Sequence, residues 1–170
     1  MQIAIQPTRQ QDIPVIFGLY DDAIAYQKQV GNNHWLGFEE ELISKEISEN
    51  RHFKILGDDE IVATFCVTFS DLAIWKDSDA TPAIYIHRIA TSQKARGQNL
   101  LKYIIDWAKG FAKDNNLQYV RMDTGGGNTR LIDYYVKSGF TLLGETKVDY
   151  TPDMPAHYKD GLFALLQMTV

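Results

Sequence analysis

The stretch RGQNLLKYIIDWAKGFAK, Arg96 to Lys113, opens on an arginine and a glycine in a tight turn and runs on as an amphipathic helix. It carries no Walker lysine and no repeated glycine. A strand, a tight turn and a helix N-terminus leave several backbone N–H groups pointing outward, and the helix dipole favours an anion there. Phosphate is the natural ligand of such a turn, and the backbone N–H groups of residues 96 to 101 are its donors. Other chemistry-bearing residues stand singly. His34, His52, His87 and His157 form no short-range ligand motif, so no metal site is expected. Cys66 is the only cysteine and lies in the apolar run EIVATFCVTF, which excludes an internal disulfide and a cysteine metal cluster and reads as packing. The run TGGGN resembles a phosphate nest, but between a strand and a helix it reads as a flexible turn.

The chain around these residues has the composition of one ordinary globular domain over residues 1–170, with 45% hydrophobic and 23% charged residues and no linker, repeat or low-complexity block. The start lacks a signal-peptide pattern and no run approaches a bilayer span, so a cytoplasmic protein with no membrane partner is the expectation. A net charge of −5 argues against a nucleic-acid surface and for small-molecule or peptide partners. No exposed stripe identifies a homodimer interface, and a homodimer stays open.

QIAIQPT alternates as a strand, and QQDIPVIFGLYDDAIAYQKQ has helical spacing with Asp12 as its cap. After the turn-rich VGNNHWLG comes a short helix, FEEELISKEISEN, whose first glutamates suit the helix dipole. HFKILGDDEIVATFCVTFSD is a hairpin around GDD, LAIWKDSDATP a loop, and AIYIHRIAT a strand buried on both faces. The opening helix follows, then the strand LQYVRMDT, the helix TRLIDYYVKS stopped by Gly139, and two strands, TLLGETKVDY and LFALLQMTV. This order predicts an α+β fold, an α/β sandwich with a mixed sheet.

From Ala83 to Phe140 the pattern resembles the GNAT superfamily of N-acetyltransferases, which bind acetyl-CoA. The strand IYIHRIAT, the turn QKARGQNLL, a helix, the strand YVRMDT and then NTRLIDYYVKSGF follow in the family's order. Asn128, Tyr135 and Gly139-Phe140 keep its spacing, N-x6-Y-x3-GF. The resemblance implies a mostly antiparallel twisted sheet flanked by helices, with a splayed central strand pair holding CoA. One departure stands in the turn. With Arg96 at the first position of the family's Q/R-x-x-G-x-G/A, Asn99 and Leu101 occupy the two places expected to be small.

By this resemblance the chain is a bacterial-type enzyme transferring acetyl from acetyl-CoA directly to a primary amine of a small molecule or peptide, without a covalent enzyme intermediate. Arg96, Gly97, Gln98, Asn99, Leu100 and Leu101 would cradle the CoA pyrophosphate. Ile89, Ala90 and Thr91 would meet pantetheine through their backbone. Tyr135 would protonate the departing thiolate, a task a phenol of ordinary pKa near ~10 can perform at neutral pH; otherwise it packs. Asn128 is either near the CoA arm or a helix N-cap. His87 is either the general base or a hydrogen-bonded sheet residue, and Asp123 fixes His87, Arg121 or a loop backbone. His34, Trp35, Trp75 and Glu39 to Glu41 fall where the family flanks its acceptor pocket, although consecutive glutamates also make an ordinary solvated helix face. Two rival readings are a silent CoA-binding sensor module and an unrelated α/β interaction domain.

Overall fold

The structure is a computed structural model that describes every residue except Asn32, which lies in the turn-rich segment before the second helix. Its residues fall into two compact units, Met1–Val67 with His87–Tyr103, and Thr68–Ile86 with Ile104–Val170.

In the first unit, strands β1 (Ile3–Pro7), β2 (His52–Gly57) and β3 (Glu60–Thr68) pair antiparallel in that order. The β2–β3 turn uses Asp58 and Asp59, both with positive φ (49° and 69°), as a two-residue hairpin requires. Helix α1 (Ile13–Gln29) buries Ile13, Ile16, Leu19 and Tyr20 against Ile43 and Ile47 of α2 (Glu40–Ser48). Each such aliphatic side chain contributes about 1.5–3 kcal/mol on burial. Asp12 does not cap α1 with its side chain. It ends a 3-10 turn, Gln10–Asp12, where its carboxylate accepts from Arg9 N–H (2.8 Å) and from the Lys54 ammonium (2.7 Å).

The second unit begins in a segment expected to be a loop. It instead forms a single helical turn, α3 (Leu72–Trp75), and a 3-10 turn, Lys76–Ala80. Trp75 explains the difference, because burying its ring drives that turn against the sheet face carrying Tyr85 (centroids 5.7 Å apart). Strand β4 (Ala83–Thr91) starts here and ends in the first unit. Beyond it, β5 (Tyr119–Gly125), β7 (Leu162–Thr169) and β6 (Thr141–Lys147) follow in that spatial order. The β4–β5 pair is parallel over three residue pairs, Ala83–Tyr85 against Tyr119–Arg121, and the β5–β7 and β6–β7 pairs are antiparallel. Helix α4 (Leu100–Asp114) buries Leu100, Leu101, Ile104, Ile105, Ala108 and Ala112 and exposes Lys102, Asp106, Lys109 and Lys113, as its spacing predicts. Helix α5 (Thr129–Lys137) ends at Gly139, whose φ of 110° lets Phe140 N–H reach Tyr135 C=O at 3.2 Å. The fold class is the expected one: a mixed, mostly antiparallel sheet arrangement with flanking helices.

Candidate functional site

Within the first unit, β4 leads through a 3-10 turn, Gln93–Ala95, into the Arg96–Leu101 turn. Gly97 (φ 84°) and Asn99 (φ 53°) both adopt left-handed backbone, which glycine and asparagine tolerate best. That spacing corrects the alignment of the turn. The two small positions of the motif fall on 97 and 99, Lys94 takes its first place, and Leu101 belongs to the first turn of α4 with a buried side chain. Nor do all six N–H groups remain for a ligand. Arg96 N–H donates to Gln93 C=O (3.3 Å) and Gln98 N–H to Ala95 C=O (3.2 Å). Leu100 and Leu101 open α4, where the first N–H groups of a helix lack intrahelical partners. The Arg96 guanidinium lies over the Tyr26 ring at 4.3 Å, so its charge is held against α1.

Before the turn, Ala90 is buried with Ile16, Tyr20 and Ile43, while Ile89 and Thr91 are half-buried. Of the three, only the Ala90 side chain belongs to the core. His87 is half-buried, and desolvation together with the charges of Arg88 and Arg51 pushes its imidazole down to about 3. Of the candidate pocket residues of this unit, His34 and Trp35 are engaged locally. His34 Nδ1 donates to Trp35 C=O (2.8 Å), Trp35 packs on Tyr20 and Phe38 (6.1 and 5.5 Å), and Glu39, Glu40 and Glu41 are exposed at the start of α2.

In the second unit Tyr135 is buried and its neighbour Tyr134 is 43% exposed, so it is Tyr135 that faces inward. Burial, then Tyr134 and the Asp123 carboxylate, hold its phenol well above the ordinary range and keep it protonated. Asn128 is the N-cap of α5, its side-chain oxygen accepting from Leu131 N–H at 3.2 Å. Asn128→Ala is therefore expected to cost about 1 kcal/mol of stability, readable by urea unfolding. Trp75 does not line an open wall. Its ring is buried beneath the Arg121 guanidinium (4.5 Å), which also donates to Tyr85 Oη (2.8 Å), Ser78 C=O (2.8 Å) and Gln167 Oε1 (3.0 Å).

One feature of this unit has no counterpart in the sequence motifs. Asp71, just before α3, and Asp123, near the end of β5, hold carboxylate oxygens within 4.8 Å of each other. Burial and the neighbouring Asp79 push Asp71 up to about 7, and burial and Asp71 push Asp123 up to about 8. Two like charges that close in a desolvated place cannot both ionise readily. Protonation of the pair is therefore favoured relative to an isolated exposed carboxylate. The sequence offered Asp123 only as a residue that fixes a neighbour, and Asp71 only as the end of the hairpin run.

A mixed, mostly antiparallel sheet arrangement, a phosphate-type turn after β4 and a buried tyrosine on the helix after β5 are the features of an acyl-CoA-dependent transferase. Residues 19–140 match the acetyltransferase (GNAT) family, and the chain belongs to that family. It is an acetyl-CoA-dependent N-acetyltransferase. The chain is 24% identical over 152 residues to the uncharacterized N-acetyltransferase YesJ of Bacillus subtilis, covering 85% of this chain and 84% of YesJ. Its fold is similar to that of a GNAT-family acetyltransferase of Listeria monocytogenes, with a TM-score of 0.80 at 21% identity over 99% of this chain and 95% of the other. The ribosomal-protein-S18-alanine N-acetyltransferase of Escherichia coli shares the fold at a TM-score of 0.68 and 13% identity, over 99% of this chain and 94% of that one. Among the described residues, no helix is long and apolar enough to cross a membrane.

Proposed function

We propose that residues 1–170 act as one catalytic domain that moves acetyl from acetyl-CoA to a primary amine by direct attack. The observation that carries the reading is the Asp71–Asp123 pair in the same unit as Tyr135, with Asp123 electrostatically against both. The carboxylate pair takes one proton of the incoming ammonium, the amine forms its bond to the thioester carbonyl, and as the C–S bond breaks the Tyr135 phenol donates to the departing thiolate and is restored by the second proton the nitrogen sheds. Proton acceptor and proton donor are thus held apart by environment: the acids rise toward neutrality, and the phenol stays protonated. His87 is less suited to the base role, since its imidazole is pushed down to about 3. A covalent acetyl-enzyme through Cys66 is disfavoured, because burial pushes that thiol up to about 12. The backbone of Ile89, Ala90 and Thr91 receives pantetheine, and the turn from Gly97 to Leu101 receives the pyrophosphate.

The test is thermal unfolding with and without acetyl-CoA, followed by a screen of amines for thiol release. Acetyl-CoA at ten times its Kd is expected to stabilise the protein by about 1.4 kcal/mol. No shift at millimolar ligand would remove the cofactor reading. A shift without amine-dependent thiol release from any amine would select a silent CoA-binding module. In the active enzyme, kcat/KM should rise with pH through the range from about 7 to about 8 set by the carboxylate pair. Asp123→Asn should flatten that limb.

A further inference from the structure

We infer that Arg88, clamped by Glu46, is a positioning residue that sets the backbone of Ile89–Thr91 for cofactor recognition. The inference rests on the proposed pantetheine role of that segment. Among the described residues, the non-glycine positions with positive φ are Asn50, Asp58, Asp59, Lys76, Arg88, Asn99, Asn116 and Asp160. Six of these eight are Asn or Asp, types that visit this region readily, and Lys76 follows the last residue of α3. Arg88 (φ 51°) alone stands inside a strand.

A long side chain in left-handed backbone persists only where its surroundings over-determine it. Here they do. Both guanidinium terminal nitrogens of Arg88 donate to the two carboxylate oxygens of Glu46 on α2, Nη1 at 3.0 Å and Nη2 in a shorter contact. The side chains are 10% and 4% exposed. The guanidinium also lies 4.8 Å from the Phe38 ring centroid, and Nη1 reaches Tyr20 Oη at 3.4 Å. Tyr20 is fixed in turn by His52 Nε2 (2.9 Å), and His52 Nδ1 by Thr8 Oγ1 (2.8 Å). A desolvated, bidentate pair cannot let go without stranding a buried charge.

The backbone consequence falls on the next residues. A regular strand sends successive side chains to opposite faces. In β4, four buried residues from Ala83 to Ile86 give way to half-buried His87, Arg88 and Ile89 before Ala90 is buried again. The left-handed residue interrupts the pleat directly before the segment whose main chain would meet pantetheine. The strain is thus held by the contacts of Arg88 with Glu46, Tyr20 and Phe38.

The experiment measures Kd by calorimetry for acetyl-CoA and for the nucleotide half of CoA, which carries the pyrophosphate and no pantetheine. Glu46→Gln is expected to weaken acetyl-CoA roughly tenfold and to leave the nucleotide half within about twofold. Arg88→Lys, which keeps charge and loses the fork, should weaken acetyl-CoA in the same selective way by a smaller factor. The double variant Arg88→Gly with Glu46→Gln should recover binding, because glycine reaches the left-handed conformation unsupported. Equal weakening of both ligands, unchanged acetyl-CoA binding in the single variants, or failure of the glycine to recover it would overturn the inference. Hydrogen exchange of wild-type Ile89–Thr91 separates the two levels. Without acetyl-CoA protection there, the pantetheine reading itself fails; with protection and unmoved variants, the Arg88 inference alone fails.

Discussion

Tyr135→Phe is expected to lower kcat about a hundredfold while leaving the Kd for acetyl-CoA essentially unchanged, since loss of a positioned proton donor costs 10²–10⁴ in rate. The substitution removes one hydroxyl and keeps the ring. The ring packs on Phe140 (6.2 Å, edge to face) and beside Tyr134 (5.9 Å), so the local fold has the contacts it needs without the oxygen. On the proposed mechanism, what is lost is the proton donor for the thiolate. Burial, Tyr134 and Asp123 raise the phenol well above its ordinary range, and a group so raised stays protonated throughout the working pH range. The alkaline side of the pH–rate profile should therefore have the same shape in the variant, displaced downward. Stopped-flow detection of thiol release gives kcat, and calorimetry gives the Kd. An unchanged kcat would take Tyr135 out of the chemistry and leave it a packing residue.

The elements that place Tyr135 were legible because each carries a local signal. The helix after GGGN has at one end an asparagine whose side chain accepts a first-turn N–H, and at the other a glycine in a backbone conformation that few other residues support. The same holds for the Asp58-Asp59 hairpin. The Arg96 turn was legible as a tight strand-to-helix turn, but its left-handed positions were not. Only the dihedral angles show that 97 and 99, and not 101, are the left-handed positions. Asp71 and Arg88 had no local signal at all. Arg88 meets Glu46 from 42 positions away, and α3, which follows Asp71, is four residues long, too short for periodicity to show. Asp12 illustrates the same limit from the other side. Its type and position satisfied a capping rule, and a lysine 42 positions along the chain claimed it instead.

That lysine makes Asp12 the site of the largest stability effect. Asp12→Ala is expected to cost about 3–5 kcal/mol, because it leaves the Lys54 ammonium buried without its counter-charge. Lys54 sits in β2 with its side chain 10% exposed, 2.7 Å from the Asp12 carboxylate. Replacing both partners by apolar residues, Asp12→Leu with Lys54→Met, should recover much of the loss, since two buried charges are removed together. The pH dependence follows from the sign of the shift. Burial acts to raise the Asp12 pKa, and the Lys54 hydrogen bond, the Arg9 N–H and the charges of Lys54 and Arg9 outweigh it, leaving it below the ordinary value of 3.8. Stability from a depressed carboxylate is present above the unfolded pKa and is lost as pH falls through the folded one. The gap between wild type and Asp12→Ala, measured by urea unfolding, should hold constant from neutral pH down to about 5 and shrink below about 4. A gap that persists undiminished at pH values well below about 3 would mean that packing around Asp12, and not its charge, anchors the entrance to α1.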